Sequence, residues 1–353
     1  MILVFGAGGF IGTYLIDELV KRKFNVIASD TCEEGETFYK NRNIPYVQID
    51  ITNNNDFKKI AGTDITTVIC LAALQPANIS TERYDPVDYI KVNTIGCLHI
   101  LEFAKTIKAR KTIFAYSHRN TSALWEKGVP IKEDDGRKFK YDGEYAMFSI
   151  SESAAQDCIE HYRTQYGMPC ILFRLPPVYG YGPHIEIYKN GKYFKTGFLT
   201  FIENSMTCKP IEVWGDSNAG RDIIYVKDVV SAFIKAITTD RADGLYNIAS
   251  GKLLTLKEEV AAIAKVFWGD AGRPVVIIER PDKPHFIETY LYDISRAKRD
   301  LNWTPEYDFE SMLTDYKKEM QSDRFGHLVC KRKKMFNTRP QCNGTHEDKD
   351  GLF

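Results

Sequence analysis

The chain has 353 residues, of which 44% are hydrophobic, 27% charged and 12% aromatic. At roughly 150 residues per domain, that is enough for one large or two ordinary cores, and it excludes a disordered chain. Its 47 Lys and Arg balance 47 Asp and Glu, so no global field draws it toward nucleic acid or an anionic membrane, and a bound anion must be met by local groups. No apolar run approaches the ~18 residues of a membrane span. The opening Met1-Ile2-Leu3-Val4-Phe5-Gly6 lacks a basic leader, which predicts a cytoplasmic protein. The 8 cysteines include no C-x-x-C pair, and several sit in apolar stretches where Cys acts as a small hydrophobe.

In chain order, a short β-branched run and a glycine turn precede Phe10, Ile11, Tyr14, Leu15, Leu19 and Val20 at helical spacing. Residues 25–30, 46–49 and 67–71 read as further strands, with helical stretches near 54–60 and 87–108. Residues 112–116 predict another strand, 144–166 a long helix, and 170–174 a strand after the Gly167-Met168-Pro169 break. Apolar strands alternating with helices predict an α/β fold, a Rossmann-type doubly wound parallel sheet. Gly, Pro and Tyr become dense after residue 175. The expected division is 1–175 as a dinucleotide-binding domain, with a return of 215–245 to it, 176–322 as a smaller α/β substrate domain, and 323–353 as a polar tail. Later helices are expected at 227–239, 256–267 and 309–321.

Gly6-Ala7-Gly8-Gly9-Phe10-Ile11-Gly12 joins the first strand to the first helix, so a backbone without Cβ atoms meets a positive helix end, a place for a pyrophosphate. Asp30, 18 residues after Gly12 at the tip of the second strand, is placed to accept hydrogen bonds from both ribose hydroxyls. Its charge would repel a 2′-phosphate, so the expected cofactor is NAD rather than NADP.

The motifs Gly6-x-x-Gly9-x-x-Gly12, Asp30, Asp50-Ile51, Leu71-Ala72-Ala73 and Val92-Asn93 resemble the extended short-chain dehydrogenase/reductase family. Tyr179-Gly180-x-Gly182-Pro183, the run Arg221 to Val229, Tyr246 to Gly251 and Asp293-Ile294-Ser295-x-Ala297 resemble its nucleotide-sugar epimerase and dehydratase branch. The resemblance covers about residues 1–320. It implies cofactor contacts at Gly6, Gly9, Phe10, Ile11, Gly12, Asp30, Asp50, Ile51, Leu71, Ala72, Ala73 and Asn93. Asp50 and Ile51 would flank the adenine. Arg221 and Arg280 would grip a nucleoside diphosphate, with Tyr179 also on the substrate, and the helices near 87–108 and 144–166 would pair two copies into a homodimer.

The resemblance further implies a Ser or Thr at the end of the fifth strand, a Tyr opening the next long helix and a Lys four residues later. Ser117 and Tyr145 take the first two places, but the third is Ser149, so the lysine is gone. Without a nearby cation a phenol stays near its ordinary pKa of ~10; Lys138, Lys140 and His118 are the candidates to supply one. The leading reading is an NAD-dependent epimerase or dehydratase that transiently oxidises a ring hydroxyl of a nucleotide-linked sugar. The alternatives are a ketoreductase or dehydrogenase of the same fold and a non-catalytic protein that binds NAD or a sugar nucleotide. His327, Cys330, Cys342 and His346 have zinc-like spacing, but no element signal organises them; a polar tail without metal is expected.

Overall fold

The computed structural model describes residues 1–76, 85–143, 145–182, 186–189, 192–268, 275–284, 287–322, 324–326 and 328. The His327, Cys330, Cys342 and His346 set lies outside them.

The first half alternates as the apolar runs require. In order come β1 (Ile2–Phe5), α1 (Phe10–Lys21), β2 (Val26–Asp30), α2 (Glu34–Lys40), β3 (Tyr46–Gln48), a 3-10 helix over Asn54–Ile60 and β4 (Thr67–Cys70). The helix expected at 87–108 is a composite of α3 (Pro86–Tyr89), a π-helical stretch Ile90–Ile95 and α4 (Gly96–Thr106). After β5 (Lys111–Ser117) and a 3-10 turn at His118–Leu124 come α5 (Ala146–Tyr166) and β6 (Cys170–Leu175). Gly167, in the left-handed region at φ 61°, ends α5.

The second half is built of shorter pieces: β7 (Val178–Tyr179), the antiparallel pair β8 (Glu186–Lys189) and β9 (Lys192–Lys195), α6 (Gly197–Met206), β10 (Ile211–Trp214), β11 (Gly220–Arg221) and β12 (Ile224–Tyr225). The chain then returns to the first half through α7 (Val226–Thr238), which packs against α1, and β13 (Gly244–Asn247). It ends with β14 (Leu254–Thr255), α8 (Leu256–Trp268), β15 (Ile277–Arg280), α9 (Ser295–Leu301) and α10 (Phe309–Glu319).

The central sheet has seven parallel strands in the order β13-β6-β5-β4-β1-β2-β3. Its faces are covered separately. One core joins Val4, Leu15, Ile69, Phe173, Val229 and Phe233 under α1 and α7; the other joins Leu3, Phe5, Val68, Ile100, Phe114 and Ile159 under α4 and α5. Burial on both faces explains why β1 and β4 carry unbroken apolar sequence rather than alternation. Strand order reverses between β1 and β4, so the loops leaving these strands at their carboxyl ends open the crevice where such sheets bind ligands.

Candidate active site

The β1–α1 turn is shaped by close backbone contact. Gly6 has φ +78°, and a Cβ there would lie 2.7 Å from the Ala72 nitrogen and the Leu71 carbonyl carbon; a Cβ on Gly12 would strike the Gly6 carbonyl oxygen and lie 2.7 Å from that of Ala7. Gly9 takes the N-cap position of α1 and no side chain caps the helix, so its first amides are left for an anion. Asp30 closes the turn from β2: Oδ2 accepts from the Gly8 nitrogen at 2.9 Å and Oδ1 from the Thr31 nitrogen at 2.8 Å. A Cβ-free cradle at an uncapped helix start, with a carboxylate at the next strand tip, fits the pyrophosphate and adenosine ribose of NAD. Gly6, Gly9, Gly12 and Asp30 are thus brought together. The Phe10 ring lies against Gly180 and Gly182, within 2.9 Å and 2.7 Å of where their Cβ atoms would stand, so it ties this turn to the loop after β7. Ile11 packs against the core beside it.

Asp50 and Ile51 follow β3 with different duties. The exposed Asp50 carboxylate holds a turn, accepting from the nitrogen and hydroxyl of Thr52 at 2.9 and 2.8 Å. Ile51 is buried, its side chain within 2.7 Å of the place a Cβ on Gly96 would take, and its carbonyl oxygen is bonded to His99 Nδ1 at 2.7 Å. Leu71, Ala72 and Ala73 leave β4 directly beside Gly6. Asn93 contributes indirectly: its Oδ1 accepts from the Leu74 nitrogen at 2.7 Å, and its Nδ2 donates to the Leu74 carbonyl and to Ser151 Oγ, both at 3.0 Å. The side-chain amide expected on the cofactor is spent on clamping the β4 loop to α5.

At the end of β5, the Ser117 nitrogen donates to Glu152 Oε2 at 3.0 Å, and Ser117 Oγ accepts from the Arg119 nitrogen at 3.2 Å. Tyr145 sits at the start of α5, 36% exposed, with the Arg119 guanidinium carbon 3.9 Å from its ring centroid. Arg119 thus links the two, its backbone nitrogen bonded to Ser117 and its guanidinium, the cation here, over the Tyr145 ring. Among the described residues, none of the groups expected to supply one is in contact with Tyr145. Lys140 is paired with Glu288 at 2.9 Å, Lys138 is exposed, and His118 is buried against Trp125 and Tyr290. That burial, with Arg119 nearby, holds the imidazole well below its ordinary pKa and so uncharged.

Ser149, expected as the third catalytic residue, lies on a buried face of α5. It is 2% exposed, and the α5 side chain that reaches the end of β5 comes almost one turn later, at Glu152. Glu152 is 3% exposed; burial pushes its carboxyl up to about 8 against the single opposing hydrogen bond from Ser117. Phe148, one turn before it, packs on Tyr89.

On the far side of the crevice, Arg221 Nη2 donates to the Tyr179 hydroxyl at 2.8 Å, and that hydroxyl donates to Glu259 Oε1 at 3.0 Å. Burial raises the Tyr179 pKa, so the phenol keeps the proton it donates. Arg221 Nε is buried with no hydrogen-bond partner among the described residues. Arg280 is spent differently: Nη1 pairs with Glu212 at 3.1 Å, and Nε and Nη2 with Asp282 at 3.1 and 3.0 Å. The structure therefore leaves an open donor on Arg221 and fills the fork of Arg280. Two acids of the same motif hold the framework. Asp222 accepts from Ser250 Oγ at 2.6 Å and from the nitrogens of Ser250, Gly251 and Tyr292 at 3.0–3.2 Å, and Asp228 accepts from the Glu306 and Tyr307 nitrogens at 2.7 and 3.3 Å.

Residues 2–249 match the NAD dependent epimerase/dehydratase family. The chain belongs to that family. It is 27% identical over 311 residues, 88% of this chain and 95% of the relative, to a putative UDP-glucose 4-epimerase of Methanocaldococcus jannaschii. It is 26% identical over 325 residues, 88% of this chain and 93% of the relative, to a UDP-glucuronate 4-epimerase of Thermodesulfobacterium geofontis. Among solved structures, the UDP-glucose 4-epimerase of Thermotoga maritima with UDP-glucose superposes with a TM-score of 0.73 at 24% identity, covering 91% of this chain and 99% of that one. That of Thermus thermophilus with NAD gives 0.71 at 22%, with the same coverage.

The family resemblance carried by the motifs, the Rossmann-type fold and the reading as an NAD-dependent enzyme of the epimerase/dehydratase type are borne out. Among the described residues no helix is long and apolar enough to cross a membrane.

Proposed function

We propose that the chain binds NAD across the β1–α1 turn and a nucleoside diphosphate sugar between the β7 loop and β11, oxidises a ring hydroxyl and returns the hydride. Residues 1–175, with the return near 215–245, form the cofactor half and 176–322 the substrate half. The observation that carries the substrate assignment is the buried, unpartnered Nε of Arg221, in a cluster whose Tyr179 leads into Gly180 against Phe10. A buried guanidinium donor without an acceptor is costly unless a ligand supplies one, and a diphosphate oxygen does so with charge.

The nicotinamide supplies the hydride acceptor; the chain's residues do the rest. Ser117 holds the reacting hydroxyl, and Tyr145 takes its proton and gives one back. The Arg119 guanidinium over the Tyr145 ring supplies the positive field that the missing lysine does not. Support for the chain acting as a homodimer comes from Val87, Ile95 and Tyr166, large apolar side chains left exposed on the helices over 86–106 and 146–166. Six described cysteines are free thiols, in keeping with a reducing cytoplasm.

The test is incubation of the purified chain with NAD and, in turn, UDP-, dTDP-, GDP- and CDP-sugars, following product stereochemistry and carbonyl formation by NMR. Conversion of at least one sugar, lost in Arg221→Ala, is the expected result. NAD binding without conversion of any sugar contradicts the proposal.

A further inference from the structure

Glu152 is an unusual residue to bury. It lies in the inward stripe of α5 with Phe148, Ala155, Ile159 and Tyr162, all under 9% exposed, and no ion pair among the described residues includes it. Its one hydrogen bond fixes it at the carboxyl end of β5. The cofactor turn leaves β1, and Asp30 at the tip of β2 marks the adenosine side. The other half of a dinucleotide therefore extends over the ends of β4 and β5. That half ends in a ribose with two hydroxyl donors and, in the oxidised cofactor, a ring bearing a positive charge.

We infer that Glu152 is the residue of this chain that meets the nicotinamide riboside, and that it selects the oxidised cofactor over the reduced one. The inference rests on the proposed NAD site. A buried carboxyl with no cation beside it is held in its neutral form, and it ionises only when a cation arrives. A nicotinamide cation provides the missing partner, whereas neutral dihydronicotinamide does not.

No charged group among the described residues around Glu152 pairs with it. Tyr116 of β5 is in electrostatic contact with it, and burial keeps that phenol protonated. Cys97 of α4, bonded to Tyr116, is likewise held protonated. Of the 3-10 turn, His118 is uncharged and Arg119 is stacked on Tyr145 and Trp125. Asp88 of α3 and Lys91 of the π-helical stretch are paired with each other at 3.4 Å. With its carboxyl pushed up to about 8, Glu152 is mostly protonated at neutral pH, so binding the cation should expel a proton.

The experiment compares dissociation constants for NAD+ and NADH in wild type, Glu152→Gln and Glu152→Lys. Gln keeps the oxygen that accepts from Ser117, and matching thermal transitions verify its fold. The expected result is that Glu152→Gln weakens NAD+ by roughly tenfold or more while NADH changes by less than about threefold, and that Glu152→Lys shifts the preference toward NADH. Calorimetry of wild type in buffers of different ionisation enthalpy should show proton release with NAD+ and none with NADH. Equal effects of Glu152→Gln on both forms, no effect on either, or equal proton release overturn the inference while leaving the NAD site standing. Failure of wild type to bind either form overturns the functional reading and the inference with it.

Discussion

Asp30 offers the sharpest perturbation of the cofactor half. Asp30→Asn keeps the shape and one carbonyl oxygen, so the bond from the Gly8 or the Thr31 nitrogen, now 2.9 and 2.8 Å, can be retained. The charge and one acceptor are lost. A hydrogen bond to a charged group contributes about 1.5–3 kcal/mol, which converts to NAD binding weaker by roughly 10- to 150-fold. For NADP the balance differs. Two unit charges ~4 Å apart in a partly exposed site repel by about 4 kcal/mol at an effective dielectric constant of ~20, and relief of that repulsion outweighs the lost bond. The preference for NAD over NADP should therefore collapse or reverse. Calorimetric titration with both cofactors measures it, and a parallel titration with a nucleoside diphosphate sugar checks that the substrate half is intact. A variant that keeps the wild-type preference would refute the placement of the adenosine ribose at Asp30.

Arg221→Ala should weaken binding of a nucleoside diphosphate sugar by roughly 10- to 100-fold, the loss of one charge-assisted contact, and leave NAD affinity unchanged; titration of each ligand separates the two. Tyr145→Phe should lower turnover by about 10²- to 10⁴-fold without changing NAD affinity, and unchanged turnover would show that another group moves the proton. Glu152→Gln should also alter the pH dependence of stability. The folded pKa of Glu152, about 8, lies above its ordinary 4.5. The stabilisation of wild type is thus fully present below about pH 4.5 and lost as pH rises through about 8. Relative to wild type, the variant should gain stability across that window and no further above it, as read from urea midpoints at several pH values. A difference that stays constant, or that moves in favour of wild type with rising pH, contradicts the burial of this carboxyl.

The parts of this protein that are legible in its sequence are those specified locally. Six of the seven strands of the central sheet read from the sequence, chiefly as apolar runs covered on both faces, whereas β13 does not, and the glycine turn with Asp30 reads as a dinucleotide site because about thirty residues specify it. α2 is not legible: over Glu34–Lys40 only Phe38 and Tyr39 are large and apolar, and the helix is held by Tyr39 donating its hydroxyl to the Ala7 carbonyl at 2.6 Å. The catalytic side is legible only in part, for a tertiary reason. Counting four residues from Tyr145 selects Ser149, which α5 buries, while the packing of α5 on the π-helical stretch, α4 and β5 brings Glu152 to Ser117. A signal did exist, since an acid within a buried stripe at helical spacing is anomalous. Arg119 left no such signal, because its stacking on Tyr145 joins residues from two separate elements.

The central claim is that this chain uses NAD to oxidise a nucleotide-linked sugar transiently. The most direct measurement is to load the purified chain with NAD, add each nucleoside diphosphate sugar in single-turnover amounts, and follow the absorbance of reduced nicotinamide together with transfer of deuterium from the labelled sugar carbon. The account predicts a transient or trapped NADH signal with at least one sugar, with the label retained on cofactor or product. Tight NAD and sugar binding with neither NADH formation nor exchange of the label, for every sugar tried, would contradict it.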